Sequence, residues 1–405
     1  MKRCVAACLV VAFGGVLIAG CSMLYDVDSE LFPDPNLERA IREAIGKPTG
    51  RLIASHLAGL TELHAGARGI ADISGIQYCV DLTLLYLNGN EIVDVSPLAG
   101  LTNLRTLMLA RNRIFDISPL VGLTKLRRLH LEYNDIIGVG PLAGLPDLEV
   151  LSLTGNRISD ISPLAGLTNL QWLQLDSNEI VDVSPLAGLS NLMLLYLNDN
   201  EVVEINALAG LVNLTCLHLN VNGIVDVSPL AGLDKLTYLE LDDNAITDVA
   251  SLAGLTGLDT LNLCHNQITD VTPLGELENL TWLDVGYNQV LDITALAELR
   301  NLKTLGVAAN EIVSIDSLRS LTEVTFLSLH DNYIIDISPL SQLTNLEVLW
   351  LYRNRVSDIA PLVMNNGLGE GDEVNLEGNC LDTQPGSPDM VFINHLVQQG
   401  VEVTY

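Results

Sequence analysis

Apolar residues recur along this chain on a 22-residue beat. In one unit they fall at Leu104, Leu107, Leu109, Ile114, Ile117, Leu120 and Leu123, with polar residues between them. A single polar residue keeps step with this apolar set. Asparagine stands at 90, 112, 134, 156, 178, 200, 222, 244, 266, 288, 310, 332 and 354, thirteen positions 22 apart without an insertion, and Asn379 follows after 25. Self-similarity at a fixed period of this length predicts stacked supersecondary units rather than two or three separate globular domains.

Each column of the unit has a physical task. In Leu107-Met108-Leu109 the side chains alternate, which predicts a short strand with the leucines inward and Met108 outward. Asn112 marks where the chain leaves the strand and turns; a buried amide can satisfy backbone groups of its own and adjacent coils, which an aliphatic residue cannot. The column of Pro119 is proline in nine of the thirteen units, with Ala or Ser at 207, 251, 295 and 317. Proline suits the first position of a helical turn, and a 22-residue coil has room only for a 3₁₀-like one. One coil cannot bury its own apolar side, so the coils must stack. At about 4.8 Å per strand, thirteen of them make an arc about 60 Å long.

The motif L-x-x-L-x-L-x-x-N, over about residues 52–380, resembles the leucine-rich repeats of internalin-type proteins. That resemblance implies an α/β repeat solenoid: an arc with a parallel β-sheet on the concave face, short 3₁₀ turns on the convex face and a helical N-terminal cap. Residues 32–45 fit the cap, with Leu37, Ile41, Ala44 and Ile45 spaced for one helical face. Residues 60–73 read as a degenerate first coil in which Arg68 replaces the asparagine. The Gly- and acid-rich stretch 365–379 breaks the period; 390–399 then reads as a helix and 401–405 as a closing strand. The resulting organisation is a cap at 32–57, repeats at 58–364 and a second cap at 365–405.

The N-terminus carries a different signal. Met1-Lys2-Arg3 precedes an apolar run from Val5 to Ile18, too short to span a bilayer and shaped like a secretory signal peptide. Leu17-Ile18-Ala19-Gly20-Cys21 resembles the lipobox of bacterial lipoproteins, which implies a signal peptide at 1–21, lipidation of Cys21, palmitate among the acyl chains, and a polar tether over 22–31. Acyl chains, at about 0.8 kcal/mol per buried CH₂, would then supply the membrane attachment. A basic patch could not, because the net charge is −30. The same charge argues against nucleic acid. Of seven cysteines, Cys4, Cys8 and Cys21 belong to the leader. Cys79, Cys216, Cys264 and Cys380 lie far apart, so neither a structural disulfide nor a zinc site is expected.

Because the framework columns barely vary, recognition must reside in those that do. Four residues before each asparagine stand, among others, Tyr86, His130, Gln174, Tyr196, His218, Glu240, Asp284 and Trp350; six before stand Arg128, Trp172, Cys216, Tyr238, Trp282 and Phe326. All three tryptophans therefore fall on the expected concave sheet. Tyrosines and histidines crowd the same and flanking columns, while the core uses almost no rings. Rings kept out of an apolar core and arrayed on one face offer large contact area at small entropy cost. Two clusters are candidate ligand-binding surfaces: Trp172, Tyr196, His218 and Tyr238 in the middle, and Trp282, Tyr287, Phe326, His330, Trp350 and Tyr352 toward the C-terminus.

A second regular column lies four residues after each asparagine: Asp94, Asp116, Asp160, Asp182, Asp226, Asp248, Asp270, Asp292, Asp336 and Asp358, with Glu204. It reads as a set of turn caps, with calcium the competing reading. GxSxG, HExxH and phosphate-cradling glycine loops are absent, and no two histidines sit four apart on a helix, so neither an enzyme, a cofactor nor a metal site is expected. The expectation is an exported, lipid-anchored, monomeric module of the bacterial cell envelope that binds a protein partner. Glycan binding and a ligand-free architectural role are the alternatives.

Overall fold

A computed structural model describes residues 31–405; the expected signal peptide, Cys21 and the expected tether up to residue 30 lie outside the described residues. Among the described residues, sixteen strands of three residues each form one parallel sheet in sequence order. They run from β1 (Glu62–His64) to β14 (Val348–Trp350), then β15 (Glu373–Asn375) and β16 (Glu402–Thr404). Lateral partners differ by 22 residues up to β14, as in Trp172↔Leu194 and Tyr196↔His218. Any residue i therefore lies beside i+22, a rule that decides every neighbourhood below. The opposite, convex side carries 3₁₀ turns such as Ser118–Gly122, with Pro119 at its start.

Each coil encloses the same aliphatic set. In the coil around Asn222, Leu211, Leu214, Leu217, Leu219, Ile224, Val227 and Leu230 are all buried. The asparagine column holds neighbouring coils together. Asn112 Nδ2 donates to the carbonyls of Leu87 (3.0 Å) and Leu109 (2.9 Å), and its Oδ1 accepts from Ile92 N–H (3.0 Å). Arg68, lacking such an amide, leaves its coil to be served by Asn90, whose Oδ1 accepts from Arg68 N–H and Ile70 N–H. A second asparagine column, unnoticed in the sequence pattern, repeats the device on the far side: Asn103, Asn169, Asn191, Asn213, Asn279, Asn301 and Asn345 each donate to a carbonyl 23 residues back.

The residue before each framework asparagine is left-handed, with φ of 50–55° at Arg111, Tyr133, Val221, His265 and Tyr287, among others. That conformation costs an L-residue roughly 1–2 kcal/mol. It persists because its N–H is pulled into the inter-coil ladder, as where Tyr287 N–H meets Ala308 O at 2.8 Å.

The aspartates four residues beyond the asparagines are turn caps. In all ten, Oδ1 accepts the backbone N–H two residues on, at 2.7–2.9 Å, from Asp94 to Asp358. Glu204, one methylene longer, takes instead the side-chain amide of Asn206. These bonds to Ser or Thr two residues on hold Asp116, Asp160, Asp182, Asp226, Asp270 and Asp292 below the ordinary carboxylate pKa. A carboxylate whose pKa is lower folded than unfolded stabilises the fold above its unfolded pKa, about 3.9, and ceases to as pH falls through the folded value. Thermal melts at pH 5 and pH 2.5 should therefore show a loss that is smaller in the quadruple variant Asp116→Asn, Asp160→Asn, Asp182→Asn, Asp226→Asn. Equal losses in both proteins would refute the capping account.

The ends are covered. Helix α1 (Pro35–Ala44) seats Leu37, Ala40 and Ile41, with Phe32 beside them, on the first coil. Ala44 is exposed and Ile45 only half-buried, so the buried stripe keeps Leu37 and Ile41 of the expected face, adds Ala40 and ends at Ile41. At the far end the period breaks where Gly367 passes Thr344: a Cβ there would run into the Thr344 carbonyl oxygen. Helix α2 (Ala360–Val363) precedes this break and α3 (Pro388–Gln398) follows it, burying Ile393 and Leu396, and β16 extends the sheet from β15.

Candidate functional site

The pleat of each strand from β1 to β14 buries the middle leucine and turns its neighbours outward, so the concave face displays the variable columns. Because i lies beside i+22, outward rings of adjacent coils meet, within a column or across two. Tyr196 and His218 stack with centroids 4.5 Å apart and planes at 23°, and His218 stacks in turn on Tyr238 at 5.0 Å and 24°. Trp172, two strands from His218 and in the column nearer the strand start, is half-buried on the same face. Among the described residues its buried indole N–H has no hydrogen-bond partner, nor have the buried Ser152 Oγ, one coil to its N-terminal side, and Glu132 Oε2, two coils to that side.

The C-terminal cluster assembles differently. Phe326 and Trp350 meet edge to face at 4.9 Å. Tyr352 stacks on His330 at 4.2 Å and 6°, while Tyr287 approaches the same imidazole edge-on at 6.2 Å. His330 is consequently only 7% exposed in its side chain, its Nδ1 2.9 Å from Asp331 Oδ2. It props the rings around it rather than offering its own edge. Tyr287 also stacks on His265 at 4.2 Å. Trp350 Nε1 donates to Glu373 Oε1 at 3.2 Å. Trp282 is half-buried and, like Trp172, joins no ring pair among the described residues.

Carboxylates interleave with the rings, and ring-counting in the sequence passed over them. Tyr238 Oη donates to Glu240 Oε1 at 2.5 Å, while Glu240 Oε2 accepts from Asn220 Nδ2 (2.8 Å) and Asn262 Nδ2 (3.0 Å). Two columns before the framework asparagine, Asp176, Asn198 and Asn220 each accept the N–H of the residue 22 ahead. Burial raises the carboxyl pKa of Asp176, Asp242 and Asp284, with Asp242 adding repulsion at Asp284. Burial also lowers the pKa of His218, outweighing the pull of Glu240 and Asp176, and drives the Tyr196 phenol up to about 12. The face thus holds clustered negative charge that is partly stripped of water, beside a neutral imidazole.

The four non-leader cysteines are unpaired, Cys79 buried in a core leucine position. At one place three ligand-type side chains come together that spacing along the chain did not suggest. Asp242, Cys264 and His265 bring an oxygen, a sulfur and a nitrogen within 4.8 Å of one another. The readable signal was the pair Cys264-His265 with an aspartate 22 residues before the cysteine.

The chain matches the family described as Leucine Rich repeats (2 copies) over residues 124–166, 212–254, 234–276 and 322–363, and Leucine rich repeat over 79–136. No curated protein matches it. Among solved structures, an internalin from Listeria monocytogenes is 34% identical, with a TM-score of 0.71 over 89% of this chain and 100% of that one. A leucine-rich-repeat protein of Leptospira interrogans is 22% identical, with a TM-score of 0.76 over 87% and 97%. The functional domain of InlJ from Listeria monocytogenes, which includes a cysteine ladder, is 23% identical, with a TM-score of 0.68 over 85% and 81%. The last two share the fold. Cys216 and Cys264 here occupy different columns, so they build no such ladder. Among the described residues, no helix is long and apolar enough to cross a membrane.

Proposed function

The chain belongs to the internalin-like leucine-rich-repeat proteins, and from that premise we propose that it is a cell-surface recognition module that binds a protein partner through its concave face. Lipid on Cys21 would hold it to the cell envelope. One observation carries the reading: the rings stand on the concave sheet, interleaved with Asp176, Glu240, Asp242 and Asp284, while the enclosed core is aliphatic. Amphipathic rings flanked by carboxylates suit a surface whose partner brings apolar side chains and lysine or arginine. Glycan binding is less well supported. A sugar stacks on an open ring face, and both faces of His218 are taken by Tyr196 and Tyr238.

The test exposes immobilised chain, from residue 22 onward, to surface-protein extracts and to a glycan array. Specific retention of a protein is expected. Tyr196→Ala with Tyr238→Ala should weaken it by about 30-fold, the equivalent of one hot spot of about 2 kcal/mol. Retention on glycans alone, or protein binding indifferent to both tyrosines and to Trp172→Ala, Trp282→Ala and Trp350→Ala, would overturn the proposal.

A further inference from the structure

The rule that i lies beside i+22 sets Cys264 next to Asp242, and His265 next to Asp243. His265 Nδ1 is 3.3 Å from Cys264 Sγ and 3.5 Å from Asp242 Oδ1. A tetrahedral zinc ion, with Zn–S about 2.3 Å and Zn–N and Zn–O about 2.0–2.1 Å, separates sulfur from nitrogen by about 3.6 Å and nitrogen from oxygen by about 3.4 Å. Those two spacings already approximate those of a ligand set, and the Cys264 sulfur lies within 4.8 Å of the Asp242 oxygen. We propose that Asp242, Cys264 and His265 form a three-ligand site for a borderline divalent metal ion, zinc foremost, with the fourth position left to water or a ligand atom.

The donor types favour this class. A thiolate with an imidazole selects zinc, copper, nickel or cobalt, whereas calcium and magnesium take all-oxygen sets. Access is open, since the His265 side chain is 47% exposed. Orientation is supplied by the fold: Tyr287 stacks on His265 with planes at 14°, and the left-handed backbone at residue 265 turns the ring back toward Asp242. Without metal, burial and the carboxylates of Asp284 and Asp242 push the Cys264 thiol up to about 12. A divalent cation reverses the sign of that field. The thiol proton then leaves to solvent as the sulfur–metal bond forms. Nothing in this inference requires the concave face to bind a protein.

Cobalt(II) added to the full chain is the direct probe, followed by displacement with zinc. A sulfur-to-cobalt charge-transfer band and intense tetrahedral d–d bands are expected, both bleached by zinc. Cys264→Ser should abolish the charge-transfer band. His265→Gln and Asp242→Asn should each weaken zinc binding by about 10-fold or more, and Cys216→Ser should change nothing. All three ligands project from the surface, so circular dichroism should match wild type; Cys264→Ala replaces any serine variant that does not. No charge-transfer band, or a band that survives Cys264→Ser and Cys264→Ala or is lost with Cys216→Ser, would overturn the site. In that case the Cys264–His265 approach is a thiol–imidazole hydrogen bond only.

Discussion

Asn332→Ala is expected to destabilise the solenoid by about 3–5 kcal/mol, more than the loss of any surface side chain. Asn332 is buried to 4% exposure. Its Nδ2 donates to the carbonyls of Val307 (3.0 Å), Leu329 (3.0 Å) and His330 (3.2 Å), and its Oδ1 accepts from Ile312 N–H (3.0 Å). Alanine leaves two or three backbone groups without a partner and without water, at about 1–3 kcal/mol each. Asn222 makes equivalent bonds but is half-buried, so water can replace part of what its amide supplies. Asn222→Ala should therefore cost distinctly less. The measurement is the guanidinium midpoint at unchanged slope. Because stability in a stacked array depends on nearest-neighbour interfaces, hydrogen exchange should localise the damage to the coils on either side. Equal costs at the two positions, or less than about 1 kcal/mol at Asn332, would refute the bridging role.

Asp34→Ala should loosen the N-terminal cap by about 2–4 kcal/mol while leaving distant coils protected. One carboxylate joins the helix to the sheet: Oδ1 accepts from Asn36 N–H (2.8 Å) and Leu37 N–H (3.1 Å) at the start of α1, and Oδ2 from Ala71 N–H (2.8 Å) and Asp72 N–H (3.3 Å) in the first coil. Loss of a helix cap alone costs about 0.5–2 kcal/mol, and the two first-coil donors add the cost of broken bonds to a charged acceptor. Burial by itself would raise the carboxyl pKa, yet the four N–H groups hold it below the ordinary value. Its contribution is therefore complete above about pH 3.9 and declines as pH falls through the lowered folded value. Hydrogen exchange would read the effect in α1 and residues 62–73. Protection there unchanged by Asp34→Ala would show that Phe32, Leu37 and Ile41 suffice to seat the helix.

The framework was legible because each coil solves the same problem with the same residues. Leu107, Asn112 and Ile117 repeat their chemistry at every 22nd position and Pro119 does so in nine of thirteen units, and burial, amide bridging and turn initiation act within a coil or between immediate neighbours. The asparagines at 103, 169 and 191 form no unbroken column, since Lys125, Asp147, Lys235, Gly257 and Glu323 interrupt it. Ala44 was assigned to the cap's buried face from helical spacing alone, but the place where a helix lands on a sheet depends on the partner; the side chains buried in α1 are Leu37, Ala40 and Ile41.

For the candidate surface, the amino-acid order by itself determined which side chains face the concave side, because strand alternation is local. Only the tertiary structure decided what those side chains do to one another. Stacking lays each coil against the next, so His218 is enclosed by Tyr196 and Tyr238 of the coils on either side, Tyr352 covers His330, and Glu240 is clamped by Tyr238 of its own strand and by Asn220 and Asn262 of the flanking coils. The meeting of Asp242 with Cys264 and His265 arises the same way. Local periodicity assigns a direction to each side chain; distance, desolvation and mutual charge exist only once separate coils lie about 4.8 Å apart.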